Sequence, residues 1–207
     1  MKERGNIHIC GVGGQGILLA SELCAYGLLT AGFDVKKSEV HGMAQRGGSV
    51  EAHLRYSRDK GQSPLSEEGT ADVIMGLETM ESLRYLHFLK EGGTVVVSKQ
   101  QIPPPAVTTG KTAYPDDCPN ALRDLGITTI EIDGPAIARE TGNIRTANVA
   151  LTGALSCLLP VEEEVFLEVI ETRFPAKIKD VNKKAFQAGR KAFGLREEQS
   201  SLSPGST

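Results

Sequence analysis

Apolar residues along this chain fall into short runs that switch between two spacings. Asn6 to Cys10 is a brief apolar run suited to a buried strand, Gly11-Val12-Gly13-Gly14-Gln15-Gly16 is a glycine-dense turn, and Ile17 to Thr30 has the length and apolar face of a helix. Gly32 closes that helix. Phe33 to Ser38 predicts a second strand. Ser49 to Ser57 puts Val50, Ala52, Leu54 and Tyr56 on one side with polar residues between them, the alternation of a half-exposed strand. The polar segment from Glu39 to Gly48 predicts a loop. Ala71 to Leu77 predicts a further strand, Thr79 to Leu89 a helix, and Gly92-Gly93 leads into a strand over Thr94 to Ser98.

The second half repeats the alternation after an interruption. Ile102-Pro103-Pro104-Pro105 leaves the sheet, because successive prolines have no N–H to give to a ladder, and Tyr114-Pro115 continues the irregular stretch. Ala121 to Leu125 predicts a short helix and Thr128 to Ile132 a strand, after which Asp133 and Pro135 mark a helix start. Asn148 to Leu159 reads as a buried helix stopped by Pro160. Glu162, Glu163 and Glu164 favour the start of the next helix through its dipole, and Ala176 to Phe193 predicts the last one. Strand and helix in alternation predict one α/β domain over residues 1–193. The fold expected is three-layer and Rossmann-like, around a mostly parallel or mixed sheet, with 194–207 as a disordered tail.

Composition narrows the partners more than the fold. A formal net charge of -3 gives no general attraction to nucleic acid or to anionic lipid. No apolar run approaches the length of a membrane span, and the first residues lack the apolar stretch of a signal peptide, so a cytoplasmic protein is expected. Cys10, Cys24, Cys118 and Cys157 form no C-x-x-C pair, so no zinc, cluster or disulfide framework is signalled, and no metal site is expected. Cys10, Cys24 and Cys157 lie in apolar runs and read as buried. Cys118, after two aspartates, reads as more exposed.

Two constellations carry the candidate chemistry. Gly11, Gly13 and Gly16, with Gly14 and Gln15 between, match G-x-G-x-x-G directly after a strand and at the opening of a helix. Such a turn lets a phosphate approach the backbone and the helix N-terminus, although the same glycines would also serve a purely structural βα turn. Glu39, near the end of the second strand, stands where a dinucleotide fold wants an acidic residue for a ribose, so NAD(P) or FAD binding is an alternative. The second constellation runs from Glu39 to Ser49, and in it His41, Gln45, Arg46, Gly47 and Gly48 are candidate binding residues. An arginine beside two glycines offers a guanidinium next to exposed backbone N–H groups, suited to phosphate or carboxylate. This loop is expected at the carboxyl edge of the sheet, close to the glycine turn.

GVGGQGI at 11–17, EVHGMAQRGGSV at 39–50, SPL at 63–65, ADVIMGLE at 71–78 and NIRTANVALTGAL at 143–155 together resemble the gamma-type subunits of 2-oxoacid:ferredoxin oxidoreductases. Within that superfamily the HGMAQRGG form is most similar to the beta subunits of indolepyruvate:ferredoxin oxidoreductases. The resemblance implies oxidative decarboxylation of an aryl 2-oxoacid to its acyl-CoA, with electrons passed to ferredoxin. That chemistry needs thiamine diphosphate and iron-sulfur clusters. A thiamine-type Gly-Asp-Gly with a distant Asn and ferredoxin-type cysteines are both missing here, so a larger alpha subunit is expected to carry both cofactors. This chain would then help hold coenzyme A, be inactive alone, and self-associate when unpartnered. A freestanding NAD(P)- or FAD-dependent oxidoreductase, or a regulatory nucleotide-binding module, is the competing reading.

Overall fold

The computed structural model describes residues 3–41, 48–59 and 63–201; the side chains of His41 and of 196–201 lie outside that description. Among the described residues six strands form one sheet: β1 (Arg4–Val12), β2 (Asp34–His41), β3 (Ser49–Ser57), β4 (Ala71–Gly76), β5 (Leu89–Ser98) and β6 (Thr128–Ile132), in the order β2-β3-β1-β4-β5-β6. β1, β4, β5 and β6 run parallel, whereas β3 pairs antiparallel with both β1 and β2. The sheet is therefore mixed. Parallel strands are buried on both faces, which explains the apolar runs Val73–Met75 in β4 and Val95–Val97 in β5.

Helices cover both faces and complete the three layers. On one face, α1 (Ile17–Thr30), α6 (Ala147–Ser156), α7 (Glu163–Arg173) and α8 (Ala176–Ser201) build the larger core with Ile7 and Ile9 of β1 and Val50, Ala52 and Leu54 of β3. α5 (Gly134–Thr141) packs beside α6 and α8. On the other face, α2 (Thr79–Arg84) and α4 (Cys118–Asp124) cover Cys10, Ile74, Val95 and Val97. α3 (Pro105–Thr108) is one helical turn within the proline-rich excursion, begun by Pro105 itself. No described helix is long and apolar enough to cross a membrane.

Several expectations from the sequence are corrected. β2 continues through Glu39 and Val40 to His41, because the ladder Glu39↔Ala52, Val40↔Glu51, His41↔Val50 uses backbone groups that a polar composition had suggested for a loop. β3 is not half-exposed: opposite its apolar row, His53 and Ser57 are only 3% exposed, and Phe88 packs against the His53 ring. β5 begins at Leu89 and includes Gly92 and Gly93, with the register shift between Ala71 and Val73 absorbing the irregular start. α2 stops at Arg84, and a separate 3-10 turn over Leu86–Phe88 carries the chain into β5.

Cys118 is buried, since it occupies the first turn of α4 one helical turn before the buried Leu122 and so shares its sheet-facing side. Cys157 is half-buried at the end of α6. α8 continues past Phe193 and Gly194 to Ser201, where the sequence had suggested a tail from 194. A glycine with open space around it costs a helix only propensity and does not end it.

Candidate functional site

The glycine turn sits where β1 hands over to α1. Gly14 is exposed at its apex with φ +104°, and Gly16 caps α1 in the left-handed conformation at φ +82°. An L side chain at either point is strained, and at Gly16 it would also strike Asn148: a Cβ there stands 2.3 Å from Asn148 Nδ2. Asn148, at the start of α6, donates from that nitrogen to the Gly16 carbonyl at 3.1 Å. The turn is thus held from the far end of the sequence.

Gln15 has a different role from the one its place in the motif suggests. Its Oε1 accepts the Val12 N–H at 2.8 Å, while its Nε2 donates to the Leu77 carbonyl at 2.7 Å and to Gln100 Oε1 at 3.1 Å. One side chain therefore ties together the carboxyl ends of β1, β4 and β5. Gly11 must be glycine for the same reason, since a Cβ would stand 2.7 Å from Gln15 Oε1 and 3.1 Å from Leu77 Cβ. Among the described residues, these contacts occupy the crevice beside the β1–β4 reversal, where an open α/β sheet takes a dinucleotide. What remains between Gln15, Leu77, Gln100 and Asn148 is a cavity of about 10 Å³, the room of a single water and too small for a pyrophosphate. Among the described residues there is no room for a pyrophosphate at that point, while Gly14 is exposed on the outer side of the turn.

The loop that the sequence singled out leaves the sheet beside this turn. Its returning stem is fixed twice: the Gly13 N–H donates to the Gly48 carbonyl at 2.8 Å, and Ser49 Oγ meets Glu81 and lies 2.8 Å from the Tyr85 hydroxyl. The register Val12↔Ser49 places both stems at the carboxyl end of β1, as expected. Gln45, Arg46, Gly47 and the side chain of His41 lie outside the described residues. Gly11, Gly13, Gly14, Gln15, Gly16 and Gly48 are brought together.

Behind the loop stem, Glu78 organises the opposite face. Its carboxylate caps α2 through the Glu81 N–H at 2.9 Å, accepts the Ile102 N–H at 3.0 Å and meets the Tyr114 hydroxyl, so it fastens the proline-rich excursion to the site. Burial, then the Glu78 contact, push the Tyr114 hydroxyl well above its ordinary range. Asn148, Gln100 and Glu78 were not among the site residues read from the sequence, although Glu78 and Asn148 lie within the matching segments 71–78 and 143–155, and Ser49 closes the second constellation. Each acts across a large sequence separation.

The turn yields a direct test. Gly16→Ala is expected to lower unfolding free energy by about 2–3 kcal/mol, from about 1–2 kcal/mol of left-handed backbone cost plus about 1 kcal/mol for the displaced Asn148 hydrogen bond. Asn148→Ala alone should cost about 1 kcal/mol, and the double variant should be clearly less destabilised than the sum of the two. Urea unfolding of the four proteins measures this; strict additivity would mean that the Asn148 contact does not hold the turn.

Comparison with known proteins agrees with this architecture. A family model described as pyruvate ferredoxin/flavodoxin oxidoreductase matches residues 6–192. The indolepyruvate oxidoreductase subunit IorB of Thermococcus kodakarensis is 45% identical over 197 residues, covering 93% of this chain and 96% of that protein. The IorB subunit of Pyrococcus horikoshii is 43% identical with the same coverage. Among solved structures, a keto/oxoacid ferredoxin oxidoreductase gamma subunit from Geobacter sulfurreducens shares the fold, with a TM-score of 0.69 at 22% identity over 92% of this chain and 99% of that one. A 2-oxoglutarate:ferredoxin oxidoreductase from Magnetococcus marinus, with 2-oxoglutarate, coenzyme A and succinyl-CoA bound, matches with a TM-score of 0.74 at 23% identity, over 94% of this chain and 32% of that chain. With the family model spanning almost every described element, from the first strand to the last helix, the chain belongs to the pyruvate ferredoxin/flavodoxin oxidoreductase family.

Proposed function

We propose that this chain is the small subunit of a 2-oxoacid:ferredoxin oxidoreductase acting on indolepyruvate or a related arylpyruvate, converting it with coenzyme A to the acyl-CoA. The observation that carries this is the 45% identity to an indolepyruvate oxidoreductase subunit along nearly the full length of both chains. The larger alpha subunit supplies thiamine diphosphate, which stabilises the carbanion left by decarboxylation, and the iron-sulfur clusters that take electrons singly.

The cysteines of this chain do not fit a cluster. They sit on four different elements or their ends: Cys10 on β1, Cys24 on α1, Cys118 on α4 and Cys157 at the end of α6. The glycine turn does fit a coenzyme A phosphate: Gly14 is exposed at the α1 N-terminus, whose first N–H groups have no partner within the helix. Gly13, Gly14, Gly16 and Gly48, with His41, Gln45, Arg46 and Gly47 of the loop, form the proposed contact. Leu18, Val40 and Ile144 are exposed on the segments framing the turn, which supports an apolar contact with the alpha subunit there and self-association without it. The cytoplasm is the compartment proposed.

Co-expression with the cognate large subunit tests the assignment: a brown complex containing both chains is expected, and a failure of the two to co-purify would overturn it. Within that complex Arg46→Lys separates roles. If the guanidinium grips an anion with two hydrogen bonds, lysine keeps the charge and loses the fork, at about 1.5–3 kcal/mol, or roughly ten- to a hundredfold in kcat/KM. A raised KM for coenzyme A places Arg46 at that substrate, and a lowered kcat at saturation places it beside the reacting centre. Unchanged assembly, KM and kcat would remove Arg46 from the site.

A further inference from the structure

Two histidines and a carboxylate meet on the sheet face opposite α1. His8 of β1 and His53 of β3 are direct partners across the antiparallel ladder, and Glu51, two positions before His53, projects from the same face. His8 is fully buried and His53 is 3% exposed, while the Glu51 side chain is 14% exposed and opens the group toward solvent. Phe88 stacks on the His8 ring at 4.5 Å, and the His53 ring stands edge-on to His8 at 4.7 Å. Packing therefore fixes both imidazoles.

Their polar atoms are not satisfied by the protein. Glu51 Oε2 lies 3.2 Å from His8 Nε2 and 3.5 Å from His53 Nε2. Neither approach has hydrogen-bond geometry: both ring nitrogens of His8, Nδ1 of His53 and Glu51 Oε2 are buried without a hydrogen-bond partner. Buried polar groups are nearly always paired, so three neighbouring side chains with orphaned atoms point to a missing ligand.

We propose that His8, Glu51 and His53 bind a divalent cation of the zinc class, with solvent in the fourth position, and so clamp β1 to β3. Two imidazoles and a carboxylate are ligands that zinc takes, at about 2.0–2.2 Å, and a tetrahedron of that size separates its ligand atoms by about 3.3–3.6 Å. The imidazole–carboxylate separations, 3.2 and 3.5 Å, lie at the short edge of that range and inside it, and all three ligand atoms lie within 4.8 Å of one another. The clamp lies close to the loop: from His8↔His53 the same ladder runs through Cys10↔Glu51 to Val12↔Ser49, where the glycine turn and the loop stem leave the sheet. A cation here would hold the strand pair that carries both, whichever substrate the loop serves.

The untagged full chain, stripped with a strong chelator and dialysed free of it, should take up one equivalent of zinc in a competition titration. Cobalt in its place should give the visible bands of tetrahedral nitrogen–oxygen ligation, without thiolate charge transfer. Glu51→Gln and His53→Gln, checked for native circular dichroism, should each weaken zinc binding by more than the roughly ten- to hundredfold lost when only a hydrogen-bonding partner of a metal ligand is removed. Should the variants not fold, zinc-edge X-ray absorption of the unmodified chain decides: nitrogen and oxygen neighbours at about 2.0–2.1 Å are expected. Uptake well below one equivalent, sulfur in the zinc shell, or unchanged affinity in both folded variants would overturn the site.

Discussion

Assayed alone with indolepyruvate, coenzyme A, thiamine diphosphate and an electron acceptor, the chain is expected to give no turnover above the protein-free background, and full activity is expected only when the large subunit is added. Loss of carbon dioxide from a 2-oxoacid leaves a carbanion that needs an electron sink, and the later electrons must leave one at a time. On the assignment proposed above, both functions belong to the large subunit. Cys10 on β1 and Cys24 on α1 are buried on different elements, which gives no shared ligand set between them. Cys118 is likewise buried, its thiol raised by burial and by Glu78. Measuring acyl-CoA formation with and without the partner, at equal protein concentration, checks the prediction. Turnover by this chain alone would sink the subunit assignment, and an inactive mixture of two properly assembled chains would sink the substrate.

Gly189→Ala is expected to be the most damaging single methyl addition in the molecule. α6 and α8 cross with their backbones in contact: a Cβ on Gly189 would stand 1.8 Å from the Ala150 carbonyl oxygen, and one on Gly153 would stand 2.0 Å from the Phe186 oxygen. Backbone cannot swing aside as a side chain does. The helices must separate, which loosens the packing of Phe186, fully buried against Phe166 at a ring separation of 5.3 Å. Overpacking of a tight core costs about 1–3 kcal/mol and more where backbone must move; we expect about 3 kcal/mol, close to 150-fold in the folding equilibrium. For a chain of this size that lowers Tm by roughly 6–12 °C. Gly194→Ala, in the same helix but with open space around its Cα, should instead stabilise by about 0.5–1 kcal/mol through helix propensity. Thermal unfolding of both variants tests the contrast; equal and opposite-to-expected shifts would mean that the crossing is looser than described.

Local signals in the sequence were sufficient wherever the determining contacts are local. Apolar spacing located the strands and helices, because a strand buries alternate residues and a helix buries one stripe whatever lies beyond. The glycine turn was legible for the same reason: positive φ at Gly14 and Gly16 is a property of single residues. The family was legible because several of its matching segments are local, two of them, 11–17 and 39–50, being the turn and the loop beside it.

Tertiary structure decided what depends on pairing. β3 enters antiparallel between β1 and β2, and only that register carries β2 through to His41 and puts His8 directly opposite His53. The alternation of Glu51, His53 and Arg55 reads in one dimension as a solvent-facing row, yet Phe88, in the turn at Leu86–Phe88, packs on His53 and buries it. Gln15 reads as a ligand-binding residue of a phosphate turn until Leu77 and Gln100, far along the chain, are seen to take its amide. A side chain's role is set by which groups are close enough to satisfy it, and for groups brought together by sheet register, that proximity is written in the pairing of strands and not in any one segment of sequence.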